Sequence, residues 1–252
     1  MKIKKKTVLT IDQYINEALY NNKFGYYMKN NPFEKNGDYI TSPNISILFS
    51  EMIAIWIISF WENLKYPKKF NLIELGGGNG EMMKQILNTF ENFPLFQNCC
   101  KIHILEKSTY LKNIQKQNLK NKNIKWLKNL NEISNRPNIF IANEFFDALP
   151  IKQFIKKEQK WYERNIKFSK INKPEFLNIL TNIKKFEKKI GFNISYKQKF
   201  IEYSPLTMKY LKIISKKIRI SGGGILIIDY GNFDKTMKNT LQSISKIGRA
   251  HV

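Results

Sequence analysis

Cysteine and histidine are scarce in this sequence, which contains two residues of each among 252. Cys99 and Cys100 are adjacent, so they cannot form the disulfide framework of a small secreted protein, and we expect a reducing, cytosolic environment. His103 and His251 are too few for a zinc site of the usual ligand spacing or for a histidine-based catalytic triad. The composition therefore excludes the common zinc enzymes and serine hydrolases.

The sequence also lacks a segment typical of secretion or membrane insertion. Met1–Lys6 is basic, but Thr7–Ile11 is too short and too polar for the apolar core of a signal peptide. The most apolar stretch, Ile45–Trp61, is just short of the length that spans a bilayer and contains Glu51 near its middle. We expect a buried helix there and no membrane span.

Arginine is rare as well, since four arginines stand beside 39 lysines in a chain of formal net charge +23. Such a charge attracts anionic partners, including nucleic acid. Proteins that recognise nucleic acid use arginine for its bidentate contacts with phosphate and guanine, whereas this lysine excess is typical of an AT-rich genome. The sequence argues against a nucleic-acid partner without excluding one. The 42% of hydrophobic residues excludes a disordered chain.

The order of apolar and polar segments predicts alternating strands and helices. Thr10 and Gln13 form a capping box that begins a helix through about Tyr20, and a long loop follows from Asn21 to Pro43. The later predicted elements are strand Phe70–Leu75, a glycine turn, a helix through about Phe90, strand Lys101–Leu105, helix Ser108–Leu119, strands Ile124–Leu127 and Ile139–Ala142, helix Pro205–Ile218 and strand Gly224–Tyr230. This alternation predicts an α/β fold with a parallel sheet covered on both faces.

The segment Ile151–Tyr203 interrupts the alternation. It has strand-like stretches at Ile151–Ile155 and Trp161–Phe168, followed by a lysine-rich pattern that indicates an amphipathic helix around Pro174–Ile190. We interpret the segment as an insertion at the edge of the sheet. The expected organisation is a helical cover with a ligand loop in residues 1–66 and a parallel-sheet domain in residues 67–252.

The strongest local signal for ligand binding is a glycine turn between a buried strand and a helix. Gly76, Gly78 and Gly80 have the spacing GxGxG, so the backbone can turn tightly and approach a ligand at the N-terminus of the next helix. A nicotinamide or flavin site would carry a small residue at the last position of GxGxxG, where this chain has Glu81. A dinucleotide is therefore disfavoured, and a purely structural turn is the alternative.

Two carboxylates end the strands beside this turn. Glu74 lies two residues before Gly76, where it suits a ligand amine better than a phosphate. Glu106 ends the next strand, where it can accept hydrogen bonds from both hydroxyls of a ribose. The alternative for Glu106 is an exposed glutamate favoured by the dipole of the following helix.

A third candidate is the acidic and aromatic loop Asn143–Pro150. Ligands of open parallel sheets bind at the carboxyl ends of the strands, so this loop is expected to face the same crevice as the glycine turn. Glu144 and Asp147 flank two phenylalanines and could orient a cationic nucleophile or accept its proton, while the aromatic rings exclude water. The alternative is that Asp147 caps the next segment and that both phenylalanines belong to the core.

Several separated segments resemble the MidA-type family of class I S-adenosylmethionine-dependent methyltransferases, which includes the mitochondrial complex I assembly methyltransferase. In order, they are Gly25–Tyr27, Gly37–Pro43, Leu72–Gly80, Asn143–Pro150 and Gly223–Gly231. The resemblance extends from about Thr10 to Gln242. It implies a Rossmann-like fold and transfer of a methyl group from S-adenosyl-L-methionine to a protein arginine, as in the mitochondrial relative that modifies a complex I subunit.

The resemblance also implies roles for individual residues. For the cofactor, it implies Glu74, Gly76, Gly78 and Gly80 at the methionine end, Glu106 at the ribose, and Thr41 and Ser42 in the same site. For catalysis on the acceptor, it implies Asn143, Glu144 and Asp147. It further implies a protein partner, and a location in a bacterial cytoplasm or, in a eukaryote, in the mitochondrial matrix.

The chain departs from the family pattern at several positions. The family usually has Pro at position 77, often Arg at 79 and usually Glu at 44, where this chain has Gly77, Asn79 and Asn44. Gly77 loosens the turn without blocking it, and Asn44 removes a carboxylate. The end, Ile247–Val252, matches a common sequencing-adapter sequence translated in one frame. We expect that the gene continues and that the closing strands of the sheet are missing, leaving an edge exposed.

Three other functions stay open at this point. A nucleic-acid methyltransferase would share the cofactor site and use the positive charge. A non-catalytic assembly factor would bind a respiratory subunit through the insertion without chemistry. A nicotinamide oxidoreductase is the weakest alternative because of Glu81. The sequence indicates neither the acceptor nor the oligomeric state.

Overall fold

The structure is a computed structural model that describes residues 8–33, 37–39, 41–120, 122–168, 174–231 and 234–242. Met1–Lys6, Ile40 of the Gly37–Pro43 motif and the Ile247–Val252 tail lie outside these residues. Within the described residues, the elements in chain order are β1 Val8–Thr10, α1 Ile11–Tyr20, α2 Tyr26–Lys29, α3 Ser42–Ile45, α4 Ile47–Asn63, β2 Phe70–Leu75, α5 Glu81–Phe90, α6 Pro94–Cys99, β3 Cys100–Leu105, α7 Thr109–Asn118, β4 Ile124–Leu127, a 3₁₀ helix Leu130–Glu132, β5 Asn138–Asn143, β6 Lys152–Lys157, β7 Lys160–Lys167, β8 Glu175–Thr181, α8 Ile183–Ile190, β9 Phe200–Tyr203, α9 Pro205–Ser221 and β10 Gly223–Ile228.

Local sequence signals predict α1, β2 and α5 well, whereas the predicted loop Asn21–Pro43 is wrong in part, because it contains α2 and the start of α3. The Gln13 side chain accepts a hydrogen bond from the Thr10 N–H at 3.3 Å, which completes the predicted capping box of α1. Strand β2 has the predicted bounds, and all six of its residues are buried. Helix α5 follows Gly80 and ends at Phe90, as predicted. The short helix α6 was not predicted.

The described residues group into two compact units. One unit, here called the parallel-sheet unit, comprises the described residues within 26–147 and 210–229. The other, here called the antiparallel-sheet unit, takes those within 1–25, 148–209 and 230–243. The expected organisation with a boundary at residues 66 and 67 stays a prediction, and the compact units divide the chain differently.

The parallel-sheet unit has five strands in the order β10-β5-β2-β3-β4, and each neighbouring pair is parallel. Helices cover both faces of the sheet, which confirms the expected α/β class. The chain moves outward from β2 to β3 and β4 and then returns to place β5 on the other side of β2. The gap between β2 and β5 is therefore the topological switch point, where open α/β sheets bind ligands.

Alternating side chains of the strands give this unit two apolar clusters. On one face, Phe70 and Leu72 of β2 pack with buried residues of α4 and α5. On the other face, Ile73 and Leu75 pack with β5 and with Ile214 of α9. Because period-two alternation places Glu74 on the same face as Leu72, its carboxyl group points toward the α4 and α5 side.

The antiparallel-sheet unit contains the segment that we expected as an edge insertion. Strands β1, β7, β6 and β9 are neighbours in that order, and β8 also pairs with β7. The Lys152 ammonium group in β6 bridges Asp12 at 3.1 Å and Glu163 at 2.8 Å. The predicted helix around Pro174–Ile190 is wrong in its first half, because residues 175–181 form β8 and only Ile183–Ile190 is helical.

Helix α4 is buried on one side only. Ile53, Ala54 and Ile57 are within the core, whereas Ile47, Leu48, Met52 and Ile55 expose between 44% and 62% of their surface. Two of these exposed residues, Leu48 and Met52, line an apolar groove of about 510 Å³ that reaches Leu226 of β10. The expectation of a buried helix is therefore correct for one side of α4 and wrong for the other. None of the helices in the described ranges has the length and apolar character needed to cross a membrane.

Candidate active site

The glycine turn adopts a backbone conformation that side chains rarely allow. Gly76, Gly78 and Gly80 have φ values of 71°, 51° and 86°, all in the left-handed region. The Gly76 N–H donates to the Leu105 carbonyl at 2.9 Å, which ties the turn to the end of β3. Gly80 is the N-cap of α5, so the turn leads directly into the positive end of a ten-residue helix.

Aromatic rings lie directly against this turn. A Cβ atom added to Gly76 would lie 2.7 Å from Cδ2 of Phe145, and one added to Gly78 would lie 3.4 Å from Cε2 of Phe33. The loop after β5 therefore contacts the turn after β2, as expected from their shared edge of the sheet. Phe33 was not predicted to be part of the site.

Glu74 is a buried acid with an unsatisfied oxygen. Its side chain is 1% exposed, and its Oε2 atom has no hydrogen-bond partner among the residues that the structure describes. Burial, together with the charge of Glu106, raises the pKa of Glu74 to about 8. Since a buried polar atom without a partner is costly, this site is complementary to a cation that donates hydrogen bonds.

Glu106 lies one strand away, immediately after β3. Its Oε1 accepts the Ser108 N–H at 2.8 Å, and its Oε2 accepts from Nε2 of Gln115 at 3.2 Å. Burial raises the pKa of Glu106, and the bonds donated by Ser108 and Gln115 partly offset that rise. A carboxylate offers about four acceptor positions. The carboxylate is thus held in place with capacity for further donors such as vicinal hydroxyls.

Gln115 is a site residue that sequence reasoning missed. It is fully buried in α7, and its Nε2 donates to the Gly78 carbonyl at 2.9 Å as well as to Glu106. Its Oε1 accepts from Nε1 of Trp126 at 2.8 Å. The signal in the sequence was a polar residue four positions after Leu111 on the apolar side of the helix. Gln115 links the turn to the Glu106 carboxylate.

Thr41 is connected to the glycine turn through two asparagines. Its Oγ1 accepts from Nδ2 of Asn44 at 3.1 Å, and Oδ1 of Asn44 accepts from Nδ2 of Asn79 at 3.2 Å. Thr41 is buried and is the N-cap of α3. Ser42 is the first residue of α3, and its carbonyl accepts the Ser46 N–H at 3.1 Å within that helix. The structure thus links Thr41 to the turn. The contact that it describes for Ser42 lies within α3.

The loop after β5 presents its acidic residues at the switch point. Asn143 ends β5, and its buried Oδ1 has no hydrogen-bond partner in the described part of the chain. Glu144 has a φ of 48°, which is uncommon outside glycine. Burial raises the pKa of Glu144, and the nearby charges of Asp147 and Asp229 raise it further. The raised pKa makes Glu144 a better proton acceptor than an ordinary glutamate.

The two phenylalanines of this loop form an aromatic cluster with α9. The ring of Phe145 lies 5.2 Å from Phe146 and 5.4 Å from Tyr210, in edge-to-face geometry in both cases. Burial raises the pKa of Tyr210, and the charge of Glu106 adds to that rise. Tyr210, which was not predicted from the sequence, is therefore close both to Glu106 and to the loop after β5.

These parts together define one site at the carboxyl edge of three adjacent strands. The ends of β3 and β2 supply a half-buried carboxyl group, a buried one and a helix N-terminus, which suit a ligand with a ribose, an amine and a carboxylate. The end of β5 supplies an acidic, aromatic-lined loop that matches a second, cationic molecule. An arrangement of this kind suits the binding of two molecules side by side.

Residues 52–251 match a protein family described as "Putative S-adenosyl-L-methionine-dependent methyltransferase". The match covers most of the chain. The chain belongs to this family of S-adenosyl-L-methionine-dependent methyltransferases, and the recognition made from the sequence motifs is confirmed.

Similar proteins agree with this assignment. The mitochondrial protein arginine methyltransferase NDUFAF7 of Xenopus laevis is 31% identical over 255 residues, covering 92% of this chain and 58% of that protein. The human protein of the same name is 29% identical over 266 residues, covering 96% of this chain and 60% of that protein. The chain thus spans about three fifths of the length of these relatives.

A solved structure confirms the fold. A COG1565 superfamily member and likely methyl transferase from Burkholderia thailandensis, bound to S-adenosyl-homocysteine, superposes with a TM-score of 0.69 at 17% identity. The superposition covers 82% of this chain and 55% of that chain. The expected Rossmann-like methyltransferase fold is therefore confirmed.

Proposed function

We propose that this protein transfers a methyl group from S-adenosyl-L-methionine to an arginine side chain of a protein. The observation that carries the proposal is the buried Oε2 atom of Glu74, which has no hydrogen-bond partner among the described residues and lies beside a left-handed glycine turn. A site of that kind fits an amino-acid ammonium group and carboxylate better than it fits a phosphate. Family membership supports the same cofactor.

The ammonium group, the carboxylate and the ribose of the cofactor each have a matching group in the parallel-sheet unit. Glu74 would accept hydrogen bonds from the ammonium group, and the amides at the start of α5 would face the carboxylate. Glu106 would accept from the ribose hydroxyls, while Gly76, Gly78 and Gly80 give the close approach. Thr41 and Ser42 would complete the wall on the α3 side. When bound, S-adenosyl-L-methionine supplies a methyl group activated by a positively charged sulfur.

The loop after β5 would hold the acceptor. A guanidinium group is a planar cation, so Glu144 and Asp147 can orient it by charge and by hydrogen bonds. The Oδ1 atom of Asn143 is a further acceptor for one of its N–H groups. Glu144, with its raised pKa, takes up the proton that the guanidinium loses. Phe145 and Phe146 exclude water from this region.

The substrate protein and the compartment are inferred from similarity. The relatives are named as mitochondrial protein arginine methyltransferases, and the family resemblance adds a respiratory complex I subunit as the acceptor. We infer that this protein acts where such a subunit is assembled. That place is the cytoplasm of a bacterium or the mitochondrial matrix of a eukaryote.

Cofactor binding is tested first by thermal unfolding with S-adenosylhomocysteine, with NADH as the control. A hundredfold excess of the homocysteine compound over its dissociation constant should stabilise the protein by about 2.7 kcal/mol, and NADH should have no effect. Glu74→Gln should weaken the response. Stabilisation by NADH alone, or by neither compound, would overturn the proposal.

Transfer is tested with tritium-labelled S-adenosylmethionine, an undermethylated protein extract and RNA. We expect label in methylarginine after hydrolysis of the protein fraction. Glu144→Gln and Asp147→Asn should abolish transfer while binding of S-adenosylhomocysteine persists. Label in RNA would indicate a nucleic-acid methyltransferase. Binding without any label would indicate a non-catalytic assembly factor, and full turnover in both variants would refute the assigned roles.

A further inference from the structure

Asp229 lies at the end of β10, next to the loop that would hold the acceptor. Strand β10 pairs with β5 in parallel register, and the last pair joins Ile228 to Asn143. The N–H of Glu144 donates to the Ile228 carbonyl at 2.8 Å, so this ladder continues one residue beyond β5. Asp229 therefore lies directly after β10, beside the first residues of the acidic loop.

One carboxylate oxygen of Asp229 accepts hydrogen bonds from two successive loop amides. Its Oδ2 lies 3.0 Å from the Phe146 nitrogen and 3.2 Å from the Asp147 nitrogen. Together with the Glu144 amide, three N–H groups of the loop are bound by the end of β10. Bonds of this kind between an ionised acceptor and backbone amides are stronger than neutral ones.

The loop requires such support because its backbone is strained. Glu144 adopts a left-handed φ of 48°, a conformation that a non-glycine residue keeps only where its surroundings enforce it. The amides bound by Asp229 lie two and three residues after Glu144, and the ring of Phe145 lies between, packed against Gly76. Fixing these amides fixes the directions of the Glu144 and Asp147 side chains and of the Phe145 ring.

We propose that Asp229 is the positioning residue of the acceptor loop: it holds the loop backbone in its active shape and does not itself contact the acceptor. This inference rests on the proposed function, since it assigns a role within the same site. It also explains why the segment Gly223–Gly231 carries an aspartate directly after its apolar strand.

Two substitutions separate this role from a direct action on the substrate. Asp229→Ala removes the acceptor of both amides. Asp229→Asn removes the charge but keeps an oxygen with two lone pairs that can still accept both N–H groups. Glu91→Ala is the matched control, because Glu91 is an exposed carboxylate at the opposite end of α5.

The first measurement is amide hydrogen exchange of a peptide covering residues 143–150, which needs neither cofactor nor acceptor. Asp229→Ala should accelerate exchange about tenfold or more, since it removes two bonds to a charged group. Asp229→Asn should have a smaller effect, and Glu91→Ala none. Thermal unfolding of each variant shows whether the whole domain remains folded. Exchange unchanged in the folded Asp229→Ala protein would overturn the proposal.

The second measurement is methyl transfer to the protein extract at saturating S-adenosylmethionine. We expect about a 10²-fold lower rate for Asp229→Ala, because a small displacement of aligned groups has that effect, with unchanged affinity for S-adenosylhomocysteine. Asp229→Asn should restore most of the rate. Equal loss in both variants with normal exchange would show direct action and refute the positioning role. If the unmodified protein transfers no methyl group, the proposed function fails and the exchange result alone decides the role of Asp229.

Discussion

Nδ2 of Asn79 donates a hydrogen bond to Oδ1 of Asn44 at 3.2 Å, which joins the glycine turn to the segment before α4. These are two of the positions at which the chain departs from the family pattern, where Arg often stands at 79 and Glu usually stands at 44. The two departures lie against each other, and a hydrogen bond between their side-chain amides joins them. Asn44 thereby keeps the link between Thr41 and the turn without a carboxylate.

We predict that these two positions are energetically coupled. Asn44→Glu and Asn79→Arg should each lower the free energy of unfolding, because each places a charge opposite an amide. The double variant should recover about 0.5 to 1 kcal/mol relative to the sum of the single changes, as expected for a partly exposed pair. Urea denaturation of the four proteins measures the coupling. Strictly additive changes would show that the pair does not act together.

Glu74 should make the stability of the ligand-free protein depend on pH. Its ordinary pKa of 4.5 applies to the unfolded chain, and its pKa in the folded protein is about 8. Between these values the folded protein retains a proton that the unfolded chain has lost. The stabilising contribution is therefore complete below pH 4.5 and is lost as the pH rises toward 8. Urea denaturation between pH 5 and pH 8 should show a steeper decline in the original protein than in Glu74→Gln, and parallel curves would contradict this.

Gln115 should control the affinity for S-adenosylhomocysteine through Glu106. Gln115→Met keeps a similar volume but removes a donor that lowers the pKa of Glu106. More of Glu106 would then be protonated at low pH and unable to accept from two hydroxyls. We expect about tenfold weaker binding, from the loss of a hydrogen bond to a charged group, and a larger loss at pH 6 than at pH 8. Isothermal titration calorimetry at both pH values measures this.

A matched control for Gln115 lies on α5. Gln85 donates to Glu81 at 2.6 Å within that helix and makes no described contact with Glu106. Gln85→Met should leave the affinity unchanged at both pH values. If it weakened binding as much as Gln115→Met does, the effect would belong to helix packing and not to Glu106.

A comparison of Gly76 with Gly191 tests whether the close contact between Gly76 and the ring of Phe145 matters. Both have positive φ, at 71° and 86°, but an added Cβ would meet Phe145 at 2.7 Å in the first case and nothing within 4 Å in the second. Gly191→Ala should cost about 1 kcal/mol of stability from the left-handed conformation alone. Gly76→Ala should cost more and should also weaken binding of S-adenosylhomocysteine. Equal losses of stability, with binding retained, would show that the contact with Phe145 is unimportant.

Sequence predicted those parts of the molecule whose signal is local. The run Phe70–Leu75 is apolar except for Asn71 and Glu74 and is followed by glycines, so its strand, turn and helix were predictable residue by residue. Strand β8 was not, because it is stabilised by seven backbone pairs with β7 that no local pattern reveals. The lysine-rich helical pattern that suggested a helix begins only at Ile183.

The same division holds within the candidate site. Glu74, Glu106 and the acidic loop were predictable, because residues at the ends of parallel strands meet at one edge. Gln115 and Asp229 act by bridging segments far apart in the chain, and such contacts depend on the register of the sheet and the rotation of α7. Their roles became visible only in three dimensions.

The half-exposed helix α4 has a consequence for the behaviour of the chain in solution. Its apolar side chains, Ile47, Leu48, Met52 and Ile55, favour self-association, while a net charge of +23 keeps separate molecules apart. Added salt favours association through both of these forces. It screens the repulsion between molecules, and sulfate or phosphate also strengthens apolar contact. The chain should therefore have its greatest colloidal stability at low ionic strength and should precipitate early in a salting-out series.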